Sequence, residues 1–366
     1  MNITKYFRAN LALILCHVIF ICGCELPADV VTKVQHVEKT ANRPLVDSSS
    51  EDPESKAFTE KVREIMKKRD FEALNAYGKE LSEKKERFTG GSWKIFSFDI
   101  LAASPLVDSP NDSDWESHLL FVREWTETMP KSIIARTALA NTNLNYAWEA
   151  RGSGYSNSIS LENRKLVDAR MQKALKEIEL ASILDERYHG YFSSLLKIAN
   201  ASGFETDEFK NIFNSAVNYD ETYQYSYTQM ATYLLPRWNG KPGDWEDFAD
   251  KVKVNLGRIE GLKMYYLIVV EMGGMHGNDF FDIHRVSWED TKKGFELYEK
   301  NYGMSRRKLN QFGSLARHAK DAQMGCKIFN RLKGEDDFEP AVWTNRGTFE
   351  AYKATALSLC KNTKIQ

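Results

Sequence analysis

The chain has 366 residues, 42% of them hydrophobic, 28% charged and 12% aromatic, enough apolar material for one large domain or two smaller ones. Nine prolines and twenty-one glycines exclude a collagen-like or extended proline-rich chain. Fifty basic against fifty-one acidic residues, a formal charge of −1, leave no electrostatic footprint for nucleic acid. Five cysteines are too few for a disulfide-framed scaffold.

Taken in chain order, residues 1–23 read as an export signal. Lys5 and Arg8 precede a largely apolar run from Leu11 to Ile21, which is short of the roughly 20 apolar residues a membrane span needs. The run ends in Ile21-Cys22-Gly23-Cys24, which resembles the lipobox of bacterial lipoproteins. The resemblance implies cleavage before Cys24, a diacylglyceryl group on its thiol and a lipid anchor in the membrane. With Glu25 rather than aspartate next, it also implies sorting to the outer membrane of a bacterial envelope, facing the periplasm. Several acyl chains, at about 0.8 kcal/mol per buried methylene, make such an anchor stable. Residues 24–53 carry little periodic apolar pattern and end in Ser-Ser-Ser-Glu-Asp-Pro53. They read as a linker with an end-to-end distance of about 30 Å.

Residues 54–366 are predicted to be all-α. Leu166, Ala169, Ala174, Ile178, Ala181 and Leu184 share one helical stripe, as do Phe209, Ile212, Phe213 and Ala216. The apolar run Met264–Val270 has the content of a strand, but its neighbours on both sides are helical in pattern. Tyr188, Phe209, Phe213 and Ala216 recur as Tyr223, Trp245, Ala249 and Val252, 35 or 36 residues later. That spacing is near the period of tetratricopeptide-like helix–turn–helix arrays. The stretch Lys308–Leu332 reads as a later unit of the same type.

Three stretches are more specific than periodicity: Ala147-Trp-Glu-Ala-Arg151-Gly-Ser-Gly154, Leu234-Leu-Pro-Arg237-Trp-Asn-Gly240-Lys-Pro-Gly-Asp-Trp245, and Pro340-Ala-Val-Trp343. Together they resemble the bacterial domain-of-unknown-function 4034 family, over about Phe71 to Lys353. That resemblance implies architecture and brings no activity. In the second stretch, Pro236 is expected to end a helix at Leu235, and Asp244 to cap the helix carrying Trp245. Arg237 and Trp238 then either staple two helices together or, with Trp245, face a ligand. Trp148 and Arg151 form a second candidate binding pair, and Gly152-Ser-Gly154 reads as a helix stop.

The densest set of metal-ligand residue types is His276, Asp279, Asp282 and His284. Its spacing matches no zinc motif, and Gly273, Gly274 and Gly277 read as a flexible, solvated connection, so neither a metal nor another cofactor is expected. A Gly-x-Ser-x-Gly elbow and a Walker loop are both missing from the sequence. Cys326 and Cys360 read as a disulfide pair or as two buried thiols. The expected function is a non-enzymatic, membrane-tethered helical-repeat protein that presents a groove to a protein or peptide. The alternative is an envelope enzyme acting on a glycan or peptide.

Overall fold

The computed structural model describes residues 53–152, 159–276, 279–332, 337–343 and 345–363. The signal segment, the lipidation site Cys24, the linker up to residue 52, and Ser153 and Gly154 lie outside these residues. Among the described residues there are sixteen helices: α1 Pro53–Lys68, α2 Phe71–Glu83, α3 Lys94–Ala102, α4 Asp112–Thr128, α5 Ile133–Arg151, α6 Leu161–Ser182, α7 His189–Ala201, α8 Thr206–Tyr219, α9 Gln224–Tyr233, α10 Asp244–Asn255, α11 Arg258–Gly274, α12 Phe280–Ile283, α13 Trp288–Tyr302, α14 Arg306–His318, α15 Ala322–Phe329 and α16 Arg346–Thr363. Among the described residues there is no strand, only an isolated antiparallel bridge between Arg87 and Trp93. The all-α expectation holds. None of the described helices is long and apolar enough to cross a membrane.

Local chemistry sets the helix ends. Pro53 opens α1 where its missing N–H costs nothing. Asn111 caps α4 in a full capping box with Asp114. Ser132, Ser160, Ser287, Ser305 and Asp321 accept a backbone N–H at the starts of α5, α6, α13, α14 and α15. Gly152 ends α5 with φ +67°, as the helix-stop reading requires.

The chain divides into two compact units. Among the described residues the first comprises Val62–Glu83 and Asp99–Ile198. Its centre is α5, against which α2, α4 and α6 pack. The second comprises the described part of Pro44–Lys61 with Lys84–Phe98 and Ala199–Gln366. Its centre is α11, against which α9, α10, α13 and α14 pack. Every residue from Met264 to Val270 is buried. The continuous apolar run is therefore a helix covered on all sides, which has no need of an amphipathic stripe. The crossing of α11 and α13 is close: a Cβ on Gly294 would lie 2.2 Å from the Leu262 carbonyl oxygen, so only glycine fits there.

In the second half α7 and α9 begin 35 residues apart, at 189 and 224, and α14 packs on α15. Phe209, Ala216, Trp245 and Ala249 are all buried, while Phe213 is half-buried. The α6 stripe is shorter than its sequence implies. Ala174, Ile178 and Ala181 are fully buried, but Leu161 and Leu166 are 71% and 40% exposed. Among the described residues nothing covers the first turns of α6, which Glu162, Arg164, Lys165 and Asp168 keep solvated.

Candidate functional site

The Arg237 corner is tighter than its sequence implies. Helix α9 ends at Tyr233, two residues before the predicted Leu235, because the chain turns back on itself there. Asn239 N–H donates to the Tyr233 carbonyl, and Gly240 N–H to that of Leu235. A Cβ on Gly240 would lie 1.9 Å from the Leu234 carbonyl oxygen, so the turn closes only over glycine. The N-cap of α10 is Gly243, in the left-handed region at φ +95°, and not Asp244. Asp244 instead accepts the Lys241 N–H at 2.7 Å, closing the turn from inside the helix.

The structure separates the candidate binding residues. Arg237 is exposed and places its guanidinium 3.1 Å from the Met275 sulfur, while Trp238 is 38% exposed. Trp245 is 1% exposed. Its ring is stacked with Phe280 and His276, so it is core and presents no face to a ligand. In the first unit, Arg151 lies over the Trp148 ring, 5.2 Å from its centroid.

Gly277 lies outside the described residues, but His276 and His284 are not solvated as the glycine-rich pattern implied. Gly273 and Gly274 belong to α11, and a Cβ on Gly273 would clash with Leu315. The two histidines turn inward. His284 Nδ1–H donates to Glu246 Oε1 at 2.8 Å, and His276 Nδ1–H donates to the Met272 carbonyl at 2.7 Å. Their rings lie 4.4 Å apart. Burial holds His276 below the ordinary imidazole range; His284 and Arg237 push the same way, against the Met272 carbonyl and Glu246. Glu246 is 5% exposed, and its Oε2 has no hydrogen-bond partner among the described residues. Asp279 and Asp282 stay at the surface, where Asp282 pairs with Lys320. Among the described residues no group of three or more His, Cys, Asp or Glu side chains is placed to hold a metal ion.

Cys326 on α15 and Cys360 on α16 are brought together as a disulfide pair, with Cα atoms 6.0 Å apart, inside the range such a bond needs. Asn330 Nδ2 donates to both sulfurs, at 3.4 and 3.3 Å.

A second candidate site lies on the other side of α11's sequence neighbourhood, in residues the sequence did not single out. A cavity of about 50 Å³ opens beside α11 and α13; its charged lining is Arg87, Lys263, Glu221 and Glu260, with Tyr298 and Tyr302 beside them. Arg87 enters it from a tight turn. Phe88 N–H donates to the Ser92 carbonyl and Gly91 N–H to that of Phe88. Gly90 and Gly91 take φ +90° and +81°, and a Cβ on Gly91 would lie 2.2 Å from the Tyr298 hydroxyl. The double glycine therefore lets the turn dock on α13 and aims Arg87. Its guanidinium carbon lies 4.0 Å from the Trp93 ring centroid and 4.7 Å from that of Tyr302. Nη1 donates to the Gly91 carbonyl at 2.9 Å and, more weakly, to Gln224 Oε1 at 3.5 Å, and Nη2 reaches the Thr222 carbonyl at 3.4 Å. Lys263, with only 5% of its side chain exposed, pairs with Glu260 at 2.7 Å. The signal that marks this site in the sequence is Arg87-Phe-Thr-Gly-Gly-Ser-Trp93, a glycine turn flanked by a cation and an aromatic ring. No family model matches the chain, and neither a curated protein nor a solved structure matches it.

Proposed function

We propose that the chain is a lipid-anchored, non-enzymatic helical protein of a bacterial envelope that docks an extended segment of a protein or peptide partner. In this reading the helix pairs from α7 onward are tetratricopeptide-like, the resemblance to the domain-of-unknown-function 4034 family bears on architecture alone, and Cys24 carries the anchor. One observation carries the binding assignment: the small cavity beside α11. Its 50 Å³ has room for about four water-sized groups, and it holds a cation oriented by two aromatic rings. A pocket of that size anchors one group of a larger partner.

The test pairs the tether with the cavity. Cys24→Ala is expected to release the protein from the membrane fraction. A photo-crosslinker at Thr222, on the exposed rim of the cavity, is expected to give one discrete adduct in intact envelopes. Unchanged membrane partition, or a crosslinker that stays unreacted, overturns the corresponding half.

An envelope enzyme acting on a glycan or peptide is the second reading. The Glu246–His284 hydrogen bond favours it, since a buried carboxylate on Nδ1 leaves Nε2 as the basic atom of the imidazole. Turnover of glycan or peptide fragments that is lost in His284→Ala and kept in Arg87→Gln would establish that reading over the first.

A further inference from the structure

Arg87 Nη1 donates to the Gly91 carbonyl at 2.9 Å and makes a long contact of 3.5 Å to Gln224 Oε1, and Nη2 makes one of 3.4 Å to the Thr222 carbonyl. A guanidinium has five N–H donors. Nε–H and the second Nη2–H are therefore left without a partner among the described residues. Those two donors form the side-on edge that fits both oxygens of a carboxylate. No carboxylate of the described residues pairs with Arg87, although Glu221 and Glu260 line the same cavity: Glu260 is held by Lys263, and the nearby Lys94 pairs with both Glu54 and Glu86. The rings of Trp93 and Tyr302 fix the plane of the guanidinium, so the edge is oriented before any ligand arrives. The same cavity has an apolar wall of Leu256, Met264 and Leu267.

Resting on the docking function above, we propose that this cavity binds the C-terminal carboxylate of a peptide, taken side-on by Arg87. A chain terminus carries its carboxylate and its last side chain on one carbon. It therefore fills the cationic edge and the apolar wall within one small volume. An aspartate or glutamate side chain presents the carboxylate alone and leaves the wall uncovered. Thr222 lies exposed at the rim and Gln224 is buried behind it, and both already accept from Arg87.

The test uses the full chain and three small probes, followed by NMR titration of the Arg87 Nε–H and the Trp93 indole N–H. N-acetyl-leucine has a free terminal carboxylate, N-acetyl-leucinamide has none, and N-acetylisoglutamine has its only carboxylate on the side chain. Saturable shifts with N-acetyl-leucine, and none with its amide, are expected. Arg87→Gln is expected to abolish them, and Arg87→Lys, which keeps the charge but loses the fork, to weaken binding by about tenfold or more. Thermal melts of both variants check that the fold is kept. Equal binding of acid and amide, preference for N-acetylisoglutamine, or no saturable shift at high-millimolar probe each overturns the terminus assignment. If Arg87→Gln still forms the Thr222 adduct, the docking function stands and only the carboxylate assignment falls. If the adduct is missing in the unmutated protein as well, the docking function itself falls.

Discussion

Helices α5 and α11 do the same job with different materials. Each is the centre of its unit, and each is buried on nearly every side. Helix α11 does it with large apolar residues: Tyr265, Tyr266, Leu267, Ile268, Val269, Val270 and Met272 are all buried. Helix α5 buries Ile133, Ile134, Leu139, Leu144 and Tyr146 too, but fills the rest of its surface with small and polar residues: Ala135, Thr137, Ala138, Ala140, Asn141, Thr142 and Asn143. Small side chains let α4 and α6 approach closely. Several of the polar groups are satisfied: Thr142 Oγ1 donates to the Ala138 carbonyl, Asn143 Nδ2 to that of Leu139, and Asn141 Nδ2 to Ser194 Oγ, while Thr137 Oγ1 and Asn143 Oδ1 find no partner among the described residues. A centre of the first kind draws its stability from area removed from water. One of the second kind draws it from close backbone approach and hydrogen bonds made in the absence of water.

The largest test of that contrast is pH. Asp99, in the unit built on α5, is pushed up to about 8 by burial, which outweighs its hydrogen bond from Tyr188 and the attraction of Lys197. A carboxyl raised above its unfolded value keeps its proton when folded and loses it when unfolded. Stability is therefore full below about pH 4 and falls as pH rises toward 8, by at most on the order of 5 kcal/mol. His118 in the same unit works in the other direction: burial lowers it to about 4, so it costs stability as pH falls from about 6.5 toward 4. Asp99→Asn is expected to flatten the decline between pH 5 and 8 in thermal melts. A slope that survives this change assigns the dependence elsewhere. The matching test on α11 is Tyr266→Ala, which removes a fully buried ring packed on Phe295, Tyr298 and Phe312. It is expected to cost about 3–5 kcal/mol by denaturant melt, with no change in the pH profile.

The same contrast explains what the sequence made legible. The apolar periodicity of α8 and α10, the α14–α15 pair, and the helix stop at Gly152 were readable because burial there uses large apolar residues or glycine. Helix α5 is legible only at its last residues, since Thr137, Asn141, Thr142 and Asn143 look solvated to any hydropathy reading. The fate of His276 and His284 was not readable, because Glu246 lies 38 residues upstream of His284 and no local pattern links them. Arg87 was missed for the same reason. Its donors are committed to Gly91, Thr222 and Gln224, the last 137 positions away.

The crosslink divides the two units next, because both body cysteines belong to the unit of α11. Cys326 and Cys360 are separated by 34 positions, and closing a loop of that length stabilises by about 4 kcal/mol on a chain-entropy argument, less any strain. Reductant is expected to lower the melting temperature of that unit alone. Mass spectrometry after alkylation without reductant is expected to find both thiols blocked; two alkylated cysteines would show that the bond is not formed.

The smallest effect is the sharpest probe of α5. Asn141→Ala removes the donor at 2.8 Å from Ser194 Oγ and leaves a buried hydroxyl, at 1% residue exposure, to find another partner. The expected cost is about 1–3 kcal/mol. Ser194→Ala alone is expected to cost a similar amount, because the Asn141 amide is then the group left unmatched. If the hydrogen bond is what makes a polar centre tolerable, the double variant costs less than the sum of the two, by about 0.5 kcal/mol or more. If the two costs simply add, the pair contributes nothing as a pair. Asn141 and Ser194 would then matter only for being small, and α5 would be stabilised by close approach of its neighbours alone.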